Sequence, residues 1–148
     1  MEDPRPQLQA ALKDAMKNKD NARRDVIRQL SSAIKQAEVD TQQELNAEDV
    51  VDILQKEAKR RRESIADYEK AGRDDLVQAE QFELTVIEDF LPRQFSEEEI
   101  TAIVKEVIAE VGAESAKDMG KVMGPVMARV RGQADGKLVN KVVREQLS

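Results

Sequence analysis

Residues 95–112 read FSEEEITAIVKEVIAEVG, and this stretch decides the fold class. Ser96 and Glu99 have the spacing of a capping box, with Phe95 and Ile100 at the staple positions around it. Ile100, Ile103, Val104, Val107, Ile108 and Val111 then recur at intervals of three and four, which gives one apolar face, and Gly112 supplies a stop. A stretch with a start, one continuous face and an end is a helix.

The chain on either side reads the same way. Downstream, Met119, Val122, Met123, Val126, Met127 and Val130 predict a sixth helix ending at Gly132. Asp135 then caps a seventh carrying Leu138, Val139, Val142, Val143 and Leu147. Upstream there are four helical patterns. Asp3 caps the first, with Pro4 at its opening position and Leu8, Leu12 and Met16 on its apolar side. Asp20 caps the second, with a stripe of Ile27, Leu30, Ile34 and Ala37. Asn46 opens the third, which has acids in its first turn and Val51, Leu54, Ala58, Arg61, Ile65 and Tyr68 in register before Gly72. The fourth runs from about Asp74 through Leu76, Ala79, Phe82, Val86, Ile87 and Phe90 until Pro92 stops it. No stretch alternates with period two. The expectation is an all-α protein with a four-helix N-terminal region (residues 1–93) and a compact three-helix tail (residues 96–148), divided at Leu91-Pro92-Arg93-Gln94-Phe95.

Composition excludes several function classes. The 148 residues are 40% hydrophobic, 36% charged and 3% aromatic, with no Cys, His or Trp. A chain of this length buries roughly 68–70% of its unfolded surface, enough to fold without cross-links. Without His or Cys there is no Ser-His-Asp or Cys-His nucleophile, no His- or thiolate-bound zinc and no imidazole proton shuttle. No catalytic residue, cofactor or metal site is expected. No run approaches the ~18 apolar residues of a membrane span. Together with the absence of Cys and of a signal-peptide pattern, this points to a cytoplasmic protein with no membrane partner.

The net charge is −6, which alone does not suggest a nucleic-acid binder. Its distribution is more informative. From Lys117 onward seven basic residues stand against three acidic ones, a local +4 against −10 for the rest. Lys117, Lys121, Arg129, Arg131, Lys137, Lys141 and Arg144 are the candidates for phosphate contact, and Asn140 is a candidate for a base edge or 2′-hydroxyl. The ordinary alternative is that these are solvated faces of amphipathic helices. Arg61 interrupts an apolar stripe, so it either pairs across helices or meets an anion. Gly120 and Gly124 inside the sixth helix point to close helix approach, and Pro125 beside them to a kink. The turn from Gly132 to Lys137, followed by a helix N-terminus, could cradle an anion, although it lacks the spacing of a phosphate loop.

Two groups of motifs carry a family resemblance. Asp118-Met119-Gly120-Lys121-Val122-Met123-Gly124, followed by Gly132-x-Ala134-Asp135-Gly136-x-Leu138-Val139-Asn140, resembles the C-terminal signature of the GatB/YqeY family. Arg61-Arg62-Glu63-Ser64-Ile65-x-x-Tyr68-x-x-Ala71-Gly72-Arg73-x-Asp75-Leu76 and Leu91-Pro92-x-Gln94 resemble the free-standing YqeY-like members. The resemblance implies a tail related to the end of the tRNA-dependent amidotransferase B subunit, which helps engage tRNA without being catalytic. Gln133 stands where the family pattern has a second base, and Pro125 where it has a small or apolar residue. The leading expectation is a non-catalytic tRNA-binding accessory module, working alongside a protein partner in tRNA aminoacylation or amidation. Two alternatives stand beside it. One is a protein-interaction adaptor working through the N-terminal helices. The other is an accessory to carbon-nitrogen ligase activity with glutamine as the nitrogen donor.

Overall fold

Four start signals, Asp20, Asn46, Ser96 and Asp135, act as the sequence predicts, whereas at the first helix Pro4 rather than Asp3 takes the N-cap position. A computed structural model describes residues 1–148 and is all-helical: α1 (Arg5–Lys17), α2 (Asn21–Thr41), α3 (Ala47–Lys70), α4 (Asp74–Glu88), α5 (Glu97–Val111), a 3-10 turn (Ala116–Asp118), α6 (Met119–Arg129) and α7 (Gly136–Leu147). Ser96 and Glu99 close a reciprocal capping box on α5, and Asn46 and Asp49 close another on α3. In each box two backbone N–H groups that the helix cannot satisfy find side-chain acceptors. Asp20 caps α2 by accepting from the Arg23 N–H, and Asp135 caps α7 by accepting from the Lys137 N–H. Gly112 ends α5 at φ +67°, a left-handed conformation that costs glycine nothing.

The chain forms two compact units, Met1–Leu91 and Pro92–Ser148, each with its own core. In the first, Ile27 and Leu30 of α2, Leu54 of α3 and Ile87 of α4 are fully buried. Each contributes roughly 1.5–3 kcal/mol by leaving water. In the second, Ile100, Val104 and Val107 of α5 pack with Val122, Val126 and Val130 and with Val139, Val142 and Val143 of α7. The methionines at 119, 123 and 127 are partly buried against this core as filling.

Several details depart from the sequence reading. In α1 Ala15 is buried and Met16 is 53% exposed. In α4 Leu84 is buried while Ala79 and Phe82 face solvent, Phe82 at 44% exposure. α4 is turned so that Leu76, Glu80, Glu83, Leu84 and Ile87 share the inward side. Two carboxylates lie on that side because a cation awaits them there. α4 also ends at Glu88, short of Pro92, and Phe90 is buried from the following turn. Pro125 lies on the exposed side of α6, and the helix continues past it to Arg129.

Gly120 and Gly124 do not serve close helix packing. Beyond the chain neighbours and the helix's own backbone, a Cβ at either position would meet no atom within 4 Å, so no other helix packs against them.

Candidate functional site

The candidate residues all lie in the second unit. Lys117 sits in the 3-10 turn and Lys121 in the first turn of α6, where its Nζ is 3.6 Å from Asp118 Oδ1. Arg129 ends α6 and reaches across to α5, where its guanidinium pairs with Glu110 at 2.6 Å and Glu106 at 3.4 Å. The Glu110 hydrogen bond, foremost, raises the Arg129 pKa above the ordinary value. Lys137, Lys141 and Arg144 follow one another on α7 at intervals of four and three. That spacing puts them on one side of the helix, away from buried Val139, Val142, Val143 and Leu147. Arg131 is exposed in the connection between α6 and α7.

The neighbours of these residues change the electrostatic reading. Lys141 Nζ lies 3.4 Å from Glu97 Oε1 on α5 and 4.0 Å from Glu145. Asn140 is half-buried, and its Oδ1 accepts from Arg144 Nη2 at 2.6 Å and Nε at 3.1 Å, so its amide oxygen is engaged within α7. The local +4 counted from Lys117 onward leaves out the acids of α5. From Pro92 to Ser148 there are nine basic and nine acidic residues, so this unit is neutral as a whole. Sequence reasoning missed Glu97, Glu106 and Glu110 as countercharges. The signal for them was the run of carboxylates along α5, visible once the count starts at Pro92, where the second unit begins, rather than at Lys117.

The turn before α7 is committed to structure. Gly132 is buried at φ +74°, and its carbonyl accepts from Gln94 Nε2 at 2.9 Å. Gln94 Nε2 also donates to the Pro92 carbonyl at 2.8 Å, Gln133 Nε2 to the Arg93 carbonyl at 3.2 Å, and the Phe95 N–H to the Gln133 carbonyl at 2.7 Å. Three of these bonds fasten segment 92–95 to the turn at 132–133, and the fourth, from Gln94 to Pro92, holds the segment's own shape. They explain why a glutamine suits position 133, where the side chain is used as a hydrogen-bond donor. The α7 N-terminus beyond the turn is already capped by the Asp135 carboxylate, whose charge opposes an anion there. The expected anion cradle is therefore filled by the protein's own carboxylate.

Arg61 in the first unit ties three helices together and is only 13% exposed. It pairs with Glu57 on α3, donates to Gln29 Oε1 on α2 at 3.0 Å, and lies 3.7 Å from Glu83 Oε1 on α4. Its charge is met by Glu57 and Glu83, so it acts as a paired arginine that ties helices together. Burial, with the Glu83 charge adding to it and Arg61 opposing, raises the Glu80 carboxyl above the usual range. No group of three Asp or Glu side chains is placed to hold a metal ion.

The features above define an all-helical protein of two units whose polar chemistry lies on its surface and in interhelical ion pairs. The chain belongs to the family of Yqey-like proteins, which it matches over residues 5–147. Among curated relatives it is similar to the proteins named Altered inheritance of mitochondria protein 41, mitochondrial. It is 41% identical to that of Eremothecium gossypii over 57% of this chain and 46% of the relative. The identity is 36% for the Kluyveromyces lactis protein, over 68% of this chain and 56% of the relative. For the Lachancea thermotolerans protein it is again 36%, with the same two coverages. The chain thus spans about half the length of these relatives. Their names overturn the expected cytoplasmic location. That expectation rested on missing Cys and a missing targeting pattern, and a protein without Cys is equally at home in a mitochondrial compartment.

Proposed function

We propose that the chain is a non-catalytic accessory module that binds tRNA through backbone phosphates, using the solvent side of α7. The observation that carries this reading is the row of Lys137, Lys141 and Arg144 opposite the buried side of α7. Lys117 supports it, because the 3-10 turn that bears it packs against α7. The cations suit backbone and shape recognition. Stacking on unpaired bases has little to draw on, since the second unit's one aromatic is Phe95, half-buried beneath the Arg93 guanidinium. The resemblance of the tail to the amidotransferase B subunit supports tRNA as the RNA. It also supports a protein partner in tRNA aminoacylation or amidation, where the chain would assist a carbon-nitrogen ligase rather than act as one. The relatives' names support a mitochondrial setting for this work.

The test is fluorescence anisotropy of labelled bulk tRNA against the full chain and against the triple variant K137E/K141E/R144E. The full chain is expected to bind, and the triple variant to bind at least tenfold more weakly with its helical circular dichroism unchanged. Arg129→Gln should stay within twofold of wild type, because that guanidinium already faces Glu106 and Glu110. Equal affinity of wild type and triple variant, or no binding by either, overturns the reading.

A further inference from the structure

The first unit carries a surface groove that the proposed tRNA contact does not use. α3 packs mainly on α4, and α2 mainly on α1 and α4, so α2 and α3 meet only lightly. Between them lie two adjoining hollows of about 430 and 570 Å³ that share Glu57 and Arg60. On the α2 side the groove runs from Arg28 to Asp40, about 18 Å or a little over three helical turns. The floor of the larger hollow is apolar and shallow-sided, formed by Ala33, Ala37 and Ile53. One end is fastened by Arg61, which links α3 to Gln29 on α2.

The charge of this groove runs against its surroundings. The first unit holds 15 basic and 21 acidic residues, a net −6. The groove nevertheless gathers Arg28, Lys56, Arg60 and Arg61 against Glu57 and Asp40. Glu57 alone serves as ion-pair partner to both Arg60 and Arg61. Arg60 remains 68% exposed, and Arg28 is exposed with no ion pair.

We propose that this groove docks an amphipathic helix of a partner protein. Small apolar residues of that helix would cover Ala33, Ala37 and Ile53, and its carboxylates would meet Arg28 and Arg60. Helix-in-groove recognition uses an apolar strip for affinity, and complementary charge at the rim sets orientation and association rate. The groove's length accommodates three turns of such a helix, and its excess of arginines selects an acidic one. An RNA strand is the poorer occupant, because Asp40 and Glu57 would face its phosphates and the apolar floor offers its backbone nothing.

The experiment installs a photo-crosslinker on the exposed rim of the full chain, Gln36→p-benzoylphenylalanine, in cells of the natural host, and maps the crosslinked site by mass spectrometry. The expected product is one protein, joined through a segment in which Asp or Glu and small apolar residues recur at helical spacing. Charge reversal with R28E/R60E should cut its yield at least fivefold while helical circular dichroism and tRNA affinity stay unchanged. The single variant R28E serves if the double variant misfolds, since Arg28 has no ion pair to lose. Crosslinking to RNA, to a second copy of this chain or to no polypeptide overturns the proposal, as does a yield indifferent to charge reversal. Unchanged tRNA affinity in these variants separates the fate of the groove from that of the α7 site.

Discussion

Arg61 occupies a stripe position on α3 that pattern reading assigns to an apolar side chain, and the fold is arranged around its charge. Glu57 and Glu83, 14% and 23% exposed, both face it, and α4 is turned to bring Glu83 and Glu80 inward. Removing the cation would leave poorly solvated Glu83 without its ion-pair partner and Glu57 with only the exposed Arg60. Arg61→Leu is therefore expected to destabilise the first unit by about 2–3 kcal/mol, somewhat below the range for fully buried pairs. Urea unfolding measures this, and a loss below about 0.5 kcal/mol would show that the cluster is dispensable. Arg61→Leu paired with Glu57→Leu should recover part of the loss, since an apolar replacement of both partners avoids the stranded charge.

Individual elements carry two further expectations. Gly120 and Gly124 lie within α6 with no other helix packed where a methyl would go. An alanine at such a site costs nothing in packing against other helices and reduces the freedom of the unfolded chain. G120A should raise stability by about 0.5–1 kcal/mol in urea or thermal unfolding, whereas G124A should gain less, because a Cβ on the residue before Pro125 crowds the proline ring in helical geometry. A loss of stability in G120A would restore the close-packing reading. At the start of α5, the Arg93 guanidinium, chiefly, and the Ser96 N–H hold the Glu99 carboxyl down at about 2. Because this value lies below the ordinary 4.5, the contribution is complete above pH 4.5 and is lost as pH falls toward 2. The urea midpoint of the wild type should therefore drop more steeply between pH 5 and pH 2 than that of Glu99→Gln. Parallel curves for the two proteins would rule the contribution out.

For the molecule as a whole, charge is divided unevenly, with −6 on the first unit and zero on the second. The neutrality of the second unit limits how many phosphates it can neutralise. With Arg129 held by α5, the three cations of α7 set the scale. In the anisotropy experiment, log K for tRNA should fall against log salt with a slope of about 2 to 3, at roughly 0.7–0.9 per phosphate. A slope near 6 would require all seven cations from Lys117 onward to act, which the pairing of Arg129 with Glu106 and Glu110 and of Lys121 with Asp118 opposes.

Helix identity, caps and class were determined by the sequence itself. Capping boxes, stop glycines and spacings of three and four are local, and local geometry is what a periodic pattern encodes. The family was equally legible, because the tail motif and the Arg61 and Leu91-Pro92-x-Gln94 motifs are contiguous. Tertiary structure alone decided what faces what. The rotation of α4, the exposure of Phe82 and Met16, the absence of a helix against Gly120 and Gly124, and the use of Gln94 and Gln133 to fasten the α6–α7 turn all depend on residues distant in the chain. So does the charge of the candidate site. Glu106 and Glu110 lie 23 and 19 residues from Arg129, and Glu97 lies 44 from Lys141, so only the folded chain brings the countercharges to the cations.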